Sequence, residues 1–216
     1  MSNTDSLSGV IKLDCLVMEA DQYESATRER TRQAILAAGI ATWTEQPGAS
    51  IGEIADAAGV ARSTLHRYYP DRAALRAGIA AHVASEYEAA LDRSRPDEGT
   101  GMEAFTRLVG ELLDHLHVFT WWMYPENYTD TGEGSAFDPG GRTEKVIARG
   151  HADDTIDPTM PTDWLIAMIW SALYSVDQAP PAPDGQARRT PREARELALR
   201  SLVKLAQTVH ARTGPG

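Results

Sequence analysis

The feature that most constrains the fold of this sequence lies between residues 48 and 75, where the pattern predicts two short helices joined by a tight turn. Ser50 and Glu53 stand three residues apart and form a capping-box pattern, so a helix is predicted to begin at Ile51. Apolar residues then recur at helical spacing: Ile51, Ile54, Ala55 and Ala58. Gly59 favours the left-handed conformation that ends a helix, which places the turn at Ala58-Gly59-Val60.

A second short helix is predicted from Arg62 to Tyr68, because Pro70 cannot continue a helical backbone. Leu65 is its only large aliphatic residue. The residues around Leu65 nearly all carry hydrogen-bond donors: Arg62, Ser63, Thr64, His66, Arg67, Tyr68 and Tyr69. One apolar anchor with donors on the other faces is typical of a helix-turn-helix motif, whose second helix enters the major groove of DNA. From the pattern alone, two ordinary surface helices remain the alternative.

Several motifs between residues 28 and 79 agree in one register: Ala34-Ile35-Leu36-Ala37-Ala38-Gly39, Ile54-Ala55, Ala58-Gly59-Val60, Ser63-Thr64-Leu65, Tyr68-Tyr69, and Asp71 with Leu75. This stretch resembles the DNA-binding domain of the tetracycline-repressor (TetR) family of bacterial transcription regulators. The resemblance implies an all-α fold, with an N-terminal three-helix helix-turn-helix DNA-binding domain followed by a C-terminal helical ligand-binding and dimerisation domain. Three positions depart from the family pattern: His66 replaces the usual tyrosine, Tyr69 a common phenylalanine and Arg72 the usual lysine.

Charge is divided unevenly along the 216 residues, whose formal net charge is −10. Residues 24–80 carry seven arginines and six acidic residues, a net charge of +1, so the remainder carries −11. An acidic chain with a locally basic DNA-reading helix is expected to bind polyanions weakly except through that helix.

The remaining composition predicts a cytoplasmic protein. The single cysteine, Cys15, excludes an intramolecular disulfide. The longest apolar run, residues 164–176, is too short to cross a bilayer, and the N-terminus lacks the pattern of a signal peptide.

We predict three segments: an N-terminal extension at residues 1–23, the helix-turn-helix DNA-binding domain at residues 24–70, and the ligand-binding and dimerisation domain at residues 71–216. The apolar stretch Val10 to Met18 is compatible with a short docked helix, a disordered arm, or an artefact in which Met18 is the true start. The DNA-binding domain is predicted to open with a helix from about Ser25 to Trp43.

Five further helices are predicted after residue 70. The first has Asp71 as its N-cap and runs to about Arg93, so that its early apolar residues would pack on the DNA-binding domain and its later ones on the following domain. The others span residues 102–124, 144–151, 161–177 and 191–210, and residues 125–141 form a loop that covers one end of the core. In the last helix, Thr190 and Glu193 form a capping box and one apolar stripe is predicted: Ala194, Ala198, Leu202, Leu205 and Val209.

The resemblance implies that the last two helices form a four-helix bundle between two subunits, although their spacing alone also allows packing within one chain. It also implies double-stranded operator DNA and a small-molecule inducer as partners, with no cofactor. The candidate DNA-binding residues are Arg28, Ser50, Arg62, Ser63, Thr64, His66, Arg67, Tyr68, Tyr69 and Arg72. Arg62 is the best candidate to read guanine, since its planar fork matches the two acceptors of that base.

Aromatic and thioether side chains are concentrated after the DNA-binding domain, which holds only one of the five tryptophans; the others are Trp121, Trp122, Trp164 and Trp170. Apolar cavities with a few polar groups are typical ligand sites, although for any single aromatic residue here core packing is the competing interpretation. The candidate ligand-binding residues are Phe105, His115, Phe119, Trp121, Trp122, Trp164, Met168 and Tyr174.

Enzymatic and metal-binding interpretations find little support in the sequence. His115 and His117 would point to nearly opposite faces of one helix, which makes a poor metal pair, and no phosphate-binding glycine loop or nucleophile elbow is present. We therefore expect a homodimeric repressor that an apolar or aromatic molecule releases from a pseudo-palindromic operator. The alternative is a small-molecule-binding or scaffold protein that keeps the fold without binding DNA.

Overall fold

The computed structural model describes residues 5–123, 134–135, 138–178 and 189–207, and for residues 5–24 it describes the backbone alone. The helices are α1 (Asp5–Glu45), α2 (Ile51–Ala57), α3 (Arg62–Tyr68), α4 (Arg72–Arg93), α5 (Gly101–Asp114), α6 (Leu116–Phe119), α7 (Arg142–Ala152), α8 (Thr162–Asp177) and α9 (Pro191–Ala206). A 3₁₀ turn at Thr120–Met123 and a two-residue antiparallel pair, β1 (Gly134–Ser135) with β2 (Asp138–Pro139), complete the described elements. The predicted all-α class is confirmed.

The chain divides into two compact units, Met1–Ile79 and Ala80–Gly216, so the boundary falls inside α4. No helix within the described ranges is long and apolar enough to span a membrane. The functional division at residues 23/24 and 70/71 stays a prediction.

In the first unit, α1, α2, α3 and the start of α4 surround one apolar core: Ile35, Leu36, Ile40, Trp43, Ile54, Ala55, Leu65, Leu75 and Ile79. The capping box predicted at Ser50 and Glu53 is present, and the Asp71 carboxylate accepts the Ala74 amide at 2.8 Å as the N-cap of α4. Gly59 has a φ of 67°, the left-handed conformation expected after α2. These predictions are confirmed.

The first helix is longer than predicted, because α1 begins at Asp5 and not near Ser25. Residues 5–23 form the first turns of α1, and their role as an N-terminal extension stays a prediction. The physical reason is that no proline interrupts residues 5–45, so the helical backbone can run through.

In the second unit, α5 contacts α7 and α9, and α8 contacts α7 and α9. The helix predicted over residues 102–124 is wrong in its second half: α5 ends at Asp114, and α6 and the 3₁₀ turn follow. His115 leaves the helical region, with φ −110° and ψ 21°, and its Nδ1 lies 3.0 Å from the Glu111 carbonyl oxygen. That side-chain contact lies at the turn where the backbone changes course.

The capping box predicted at Thr190 and Glu193 is confirmed, but α9 ends earlier than the predicted His210. Gln207 is extended and pairs with Ile156, and the Asp157 amide donates to the Ala206 carbonyl at 2.9 Å. Of the predicted stripe, Leu202 is buried within the chain and Leu205 is 41% exposed. Val209 and most of the predicted 125–141 loop lie outside the described residues.

Candidate nucleic-acid interface and aromatic cluster

The short helix α3 has one buried apolar side chain, and its other side chains are mostly polar. Leu65 is fully buried, whereas four of the predicted DNA-binding residues on α3 are exposed: Arg62, Ser63, His66 and Arg67. Thr64 and Tyr68 are half-buried. The surface of α3 is therefore a row of hydrogen-bond donors on an apolar anchor, as the sequence predicts.

The His66 ring contacts the backbone that follows α3. Its Nδ1 lies 3.0 Å from the carbonyl oxygen of Pro70. A carbonyl oxygen only accepts hydrogen bonds, so Nδ1 carries the proton, and the neutral ring then has Nε2 as an acceptor.

Beside α3, a groove of about 580 Å³ lies between its second half and α1. Its lining residues are Thr27, Arg28, Thr31, Arg67 and Tyr68. The Tyr68 hydroxyl donates to the Arg28 carbonyl at 3.2 Å, and the Arg67 guanidinium carbon lies 5.7 Å from the centre of the Tyr68 ring. Two arginines and two hydroxyl-bearing threonines give this groove the chemistry that binds phosphate.

The second unit contains a compact cluster of four aromatic rings, which we call the aromatic cluster: Tyr87, Phe119, Trp122 and Trp170. All six pairs of rings are in contact, with centroid distances from 5.5 to 6.3 Å. Phe119 and Trp122 are stacked at an interplanar angle of 27°, while Phe119 and Trp170 meet at 88°. Such mixed edge and stacked contacts are the arrangement that aromatic rings prefer.

The Tyr87 hydroxyl gives this cluster its polar end. It lies 2.9 Å from Asp138 Oδ1 and 2.5 Å from Thr143 Oγ1. Burial, reinforced by the negative charge of Asp138, raises the pKa of Tyr87, so the hydroxyl stays protonated. Tyr87 therefore donates its one hydrogen to the carboxylate and accepts from the Thr143 hydroxyl.

Asp138 also caps the start of α7. Its carboxylate accepts the backbone amides of Thr143 at 3.0 Å and Glu144 at 2.9 Å, and the residue is only 2% exposed. The neighbouring Arg142 donates to the carboxylates of Glu88 at 2.5 Å and Asp92 at 2.6 Å. The start of α7 is thus bound to α4 by both hydrogen bonds and ion pairs.

The chain is similar in sequence to one family of known proteins. The profile of "Bacterial regulatory proteins, tetR family" matches residues 35–79. The HTH-type transcriptional repressor LfrR of Mycolicibacterium smegmatis is 36% identical over 172 residues, which cover 79% of this chain and 89% of LfrR. The chain belongs to the TetR family.

One other relative and one solved structure support this placement in the TetR family. The HTH-type transcriptional regulator NfxB of Pseudomonas aeruginosa is 32% identical over 94 residues, or 42% of this chain and 50% of NfxB. A crystal structure of LfrR from Mycobacterium smegmatis in complex with proflavine has a TM-score of 0.60 at 33% identity, covering 85% of this chain and 99% of that one. The likeness thus extends through both units of the fold.

Within this TetR-family chain, three predicted DNA-binding side chains are engaged in the local fold. Ser50 Oγ donates to Glu53 in the capping box at 2.7 Å. Tyr69 is 8% exposed and packs against Gly78, and its burial raises its pKa. Arg72 donates to the carbonyls of Pro47 and Ala49, with its guanidinium 4.5 Å from the Trp43 ring centre. For these three, contact with DNA stays a prediction.

The predicted ligand-binding residues fall into different environments. Phe119 and Trp122 belong to the aromatic cluster, and Phe105 and Trp121 are buried. Met168 is half-buried on α8, and His115 lies 3.4 Å from Arg93 at the end of α5. Trp164 and Tyr174 are 53% and 50% exposed on α8, outside the cluster.

The site prediction omitted Tyr87, Trp170 and Asp138. Trp170 had a signal, since it is one of the tryptophans that follow the DNA-binding domain. Tyr87 and Asp138 lie 51 residues apart, and no local pattern links them. Within the described ranges, no group of three or more His, Cys, Asp or Glu residues is arranged to hold a metal ion.

Proposed function

We propose that this chain is a ligand-responsive, DNA-binding repressor that acts on DNA in the bacterial cytoplasm. The observation that carries the proposal is α3, where exposed donors surround the buried Leu65. The groove beside it, with Arg28 and Arg67, supplies the charge for phosphate contacts. Catalysis has no part in the proposal, because the curated relatives are transcriptional regulators.

The direct test is selection of binding sites from a pool of random duplexes, followed by titration at several salt concentrations. We expect recovery of an inverted repeat and an affinity that falls as salt rises, because phosphate contacts release counterions. A protein that retains no duplex even at low salt would be the scaffold alternative.

Replacing Arg62 with alanine is expected to reduce discrimination for one guanine in each half-site. A bidentate contact of arginine with guanine is worth roughly 1–3 kcal/mol, or about 5- to 150-fold in the affinity ratio between cognate and substituted duplexes. Arg192→Ala, on an exposed turn of α9, is the matched control and should keep the wild-type ratio. If Arg62→Ala keeps the wild-type affinity ratio between cognate and substituted duplexes, Arg62 does not recognise a base.

A homodimer is proposed to match the inverted repeat, with α8 and α9 as its interface. Four large hydrophobic residues are exposed among the described residues, and all four lie on these two helices: Trp164, Tyr174, Leu197 and Leu205. Exposed apolar surface of this kind typically marks a protein interface. Two DNA-reading helices of a dimer must stand about 34–36 Å apart to reach successive major grooves.

The effector is proposed to be a planar aromatic molecule that binds at the aromatic cluster. LfrR has been crystallised with proflavine, and the cluster here brings together the rings of Trp122 and Trp170 with a Tyr87 hydroxyl that is bonded to Asp138. A ligand that prefers one conformer lowers DNA affinity by the difference between its affinities for the two conformers. An operator titration whose midpoint does not move at saturating proflavine would contradict release by this compound.

Trp122→Leu is expected to weaken proflavine binding, whereas the matched Trp164→Leu is expected to leave it unchanged. An aromatic contact contributes about 0.5–1.5 kcal/mol beyond buried area, so the expected loss is about 2- to 12-fold. Fluorescence titration measures both variants, and sedimentation of Trp164→Leu reports on the proposed dimer interface. Equal losses in the two variants would argue that the ligand does not bind at the cluster.

A further inference from the structure

Gly52 on α2 lies directly beneath the side chain of Arg62. A Cβ atom built at Gly52 would stand 2.7 Å from Arg62 Cζ, 2.7 Å from Nη2 and 2.8 Å from Nε. These distances are shorter than real Cβ contacts, so the guanidinium occupies space that exists only because residue 52 has no side chain. The planar group therefore rests on the backbone of α2.

The backbone of Gly52 does not itself require glycine. Its φ lies outside the left-handed region, unlike those of Gly59 and Gly99, and it sits inside the regular helix α2. Glycine within a helix lowers stability relative to alanine. The structural consequence of glycine at this position is the room it leaves for Arg62.

A carboxylate on α2, that of Glu53, also acts on this guanidinium through its charge. Glu53 Oε2 accepts the Ser50 amide and the Ser50 hydroxyl, each at 2.7 Å, so the carboxylate cannot turn freely. The pKa of Glu53 is lowered by those two hydrogen bonds first, and the positive charge of Arg62 lowers it further. The α2 surface thus provides Arg62 with free space above Gly52 and with the negative charge of Glu53.

We propose that Gly52 is a positioning residue for operator recognition, because its missing side chain sets the orientation in which the Arg62 guanidinium meets a guanine. This inference rests on the proposed function. Bidentate recognition of guanine requires the arginine fork to lie in the plane of the base. An arginine with fewer orientations open to it also loses less side-chain freedom on binding.

The test compares Gly52→Ala, Arg62→Ala and the double variant on the duplex recovered by selection. Each base pair of one half-site is substituted in turn, and the affinity ratio is measured for every protein. Gly48→Ala is the matched control, because a Cβ there meets no atom within 4 Å and Gly48 lies in the same unit. Circular dichroism and Tm verify that each variant is folded.

We expect Gly52→Ala to reduce discrimination about fivefold or more at the base pair that Arg62→Ala affects, with a Tm equal to or above that of the wild type. The double variant should match Arg62→Ala, and Gly48→Ala should match the wild type. If Gly52→Ala keeps the wild-type affinity ratio between cognate and substituted duplexes, the inference is wrong although the protein binds DNA. The same holds if Gly52→Ala lowers that ratio equally in the wild-type and Arg62→Ala backgrounds. The inference is also wrong if Arg62→Ala changes discrimination at no base pair. A wild-type protein that binds no duplex overturns the proposed function and this inference together.

Discussion

Leu65→Ala is expected to abolish operator binding while leaving intact the binding of proflavine that we propose for the aromatic cluster. Leu65 is fully buried and is the apolar anchor of α3 in the Met1–Ile79 unit. Truncation of a buried leucine to alanine costs about 2–5 kcal/mol, a large part of the roughly 5–15 kcal/mol that holds a domain folded. The DNA-reading helix should therefore lose its fixed position.

Leu65→Met is the matched control for this prediction, because a swap that nearly conserves volume usually costs less than about 1.5 kcal/mol. Duplex titration and fluorescence titration with proflavine, performed on the same preparations, measure the two activities separately. Parallel loss of both in Leu65→Ala would show that the two units do not fold and bind separately.

Gly101→Ala is expected to destabilise the Ala80–Gly216 unit strongly. A Cβ at Gly101 would stand 2.1 Å from the Gly150 Cα and 2.2 Å from the Gly150 amide nitrogen. These are backbone atoms, so no side chain can rotate away and α5 must separate from α7. We expect a loss of about 2–3 kcal/mol, which corresponds to a Tm lower by roughly 4–12 °C.

Gly110→Ala provides the control in the same helix, since a Cβ there meets no atom within 4 Å. Its higher helix propensity should raise stability by about 0.5–1 kcal/mol. Thermal unfolding of the two variants therefore gives shifts of opposite sign. If both alanines shift the Tm in the same direction, the close crossing of α5 and α7 is not the reason for glycine at position 101.

The sequence predicts well those features that are local. The Ser50 and Glu53 box, the Thr190 and Glu193 box and the Asp71 cap each involve residues three positions apart, and all three are present. At these three sites the side chain that caps the helix is a close neighbour in the sequence, so local spacing is enough to predict the helix start. The placement of the donors on α3 followed from the same local spacing.

Features that depend on distant residues were not predictable. The closeness of Gly101 to Gly150 and the bond from Tyr87 to Asp138 join positions about fifty residues apart, and no periodicity marks them. Leu205 shows a different limit: an amphipathic stripe indicates that a face is apolar, but not whether it packs within one chain or against another. The end of α5 at Asp114 is a local feature, but the apolar spacing continues across it through Leu112, Leu113 and Leu116 and hides it.

The hydrogen bond from Tyr87 to Asp138 links the aromatic cluster to the first turn of α7, because the same carboxylate accepts the Thr143 amide there. A molecule that turned the Tyr87 ring would withdraw a donor from a carboxylate that is 2% exposed, and water could not readily replace it. Binding of an aromatic ligand in the cluster would then change the stability of the Asp138 cap on α7, although the ligand would not contact that helix.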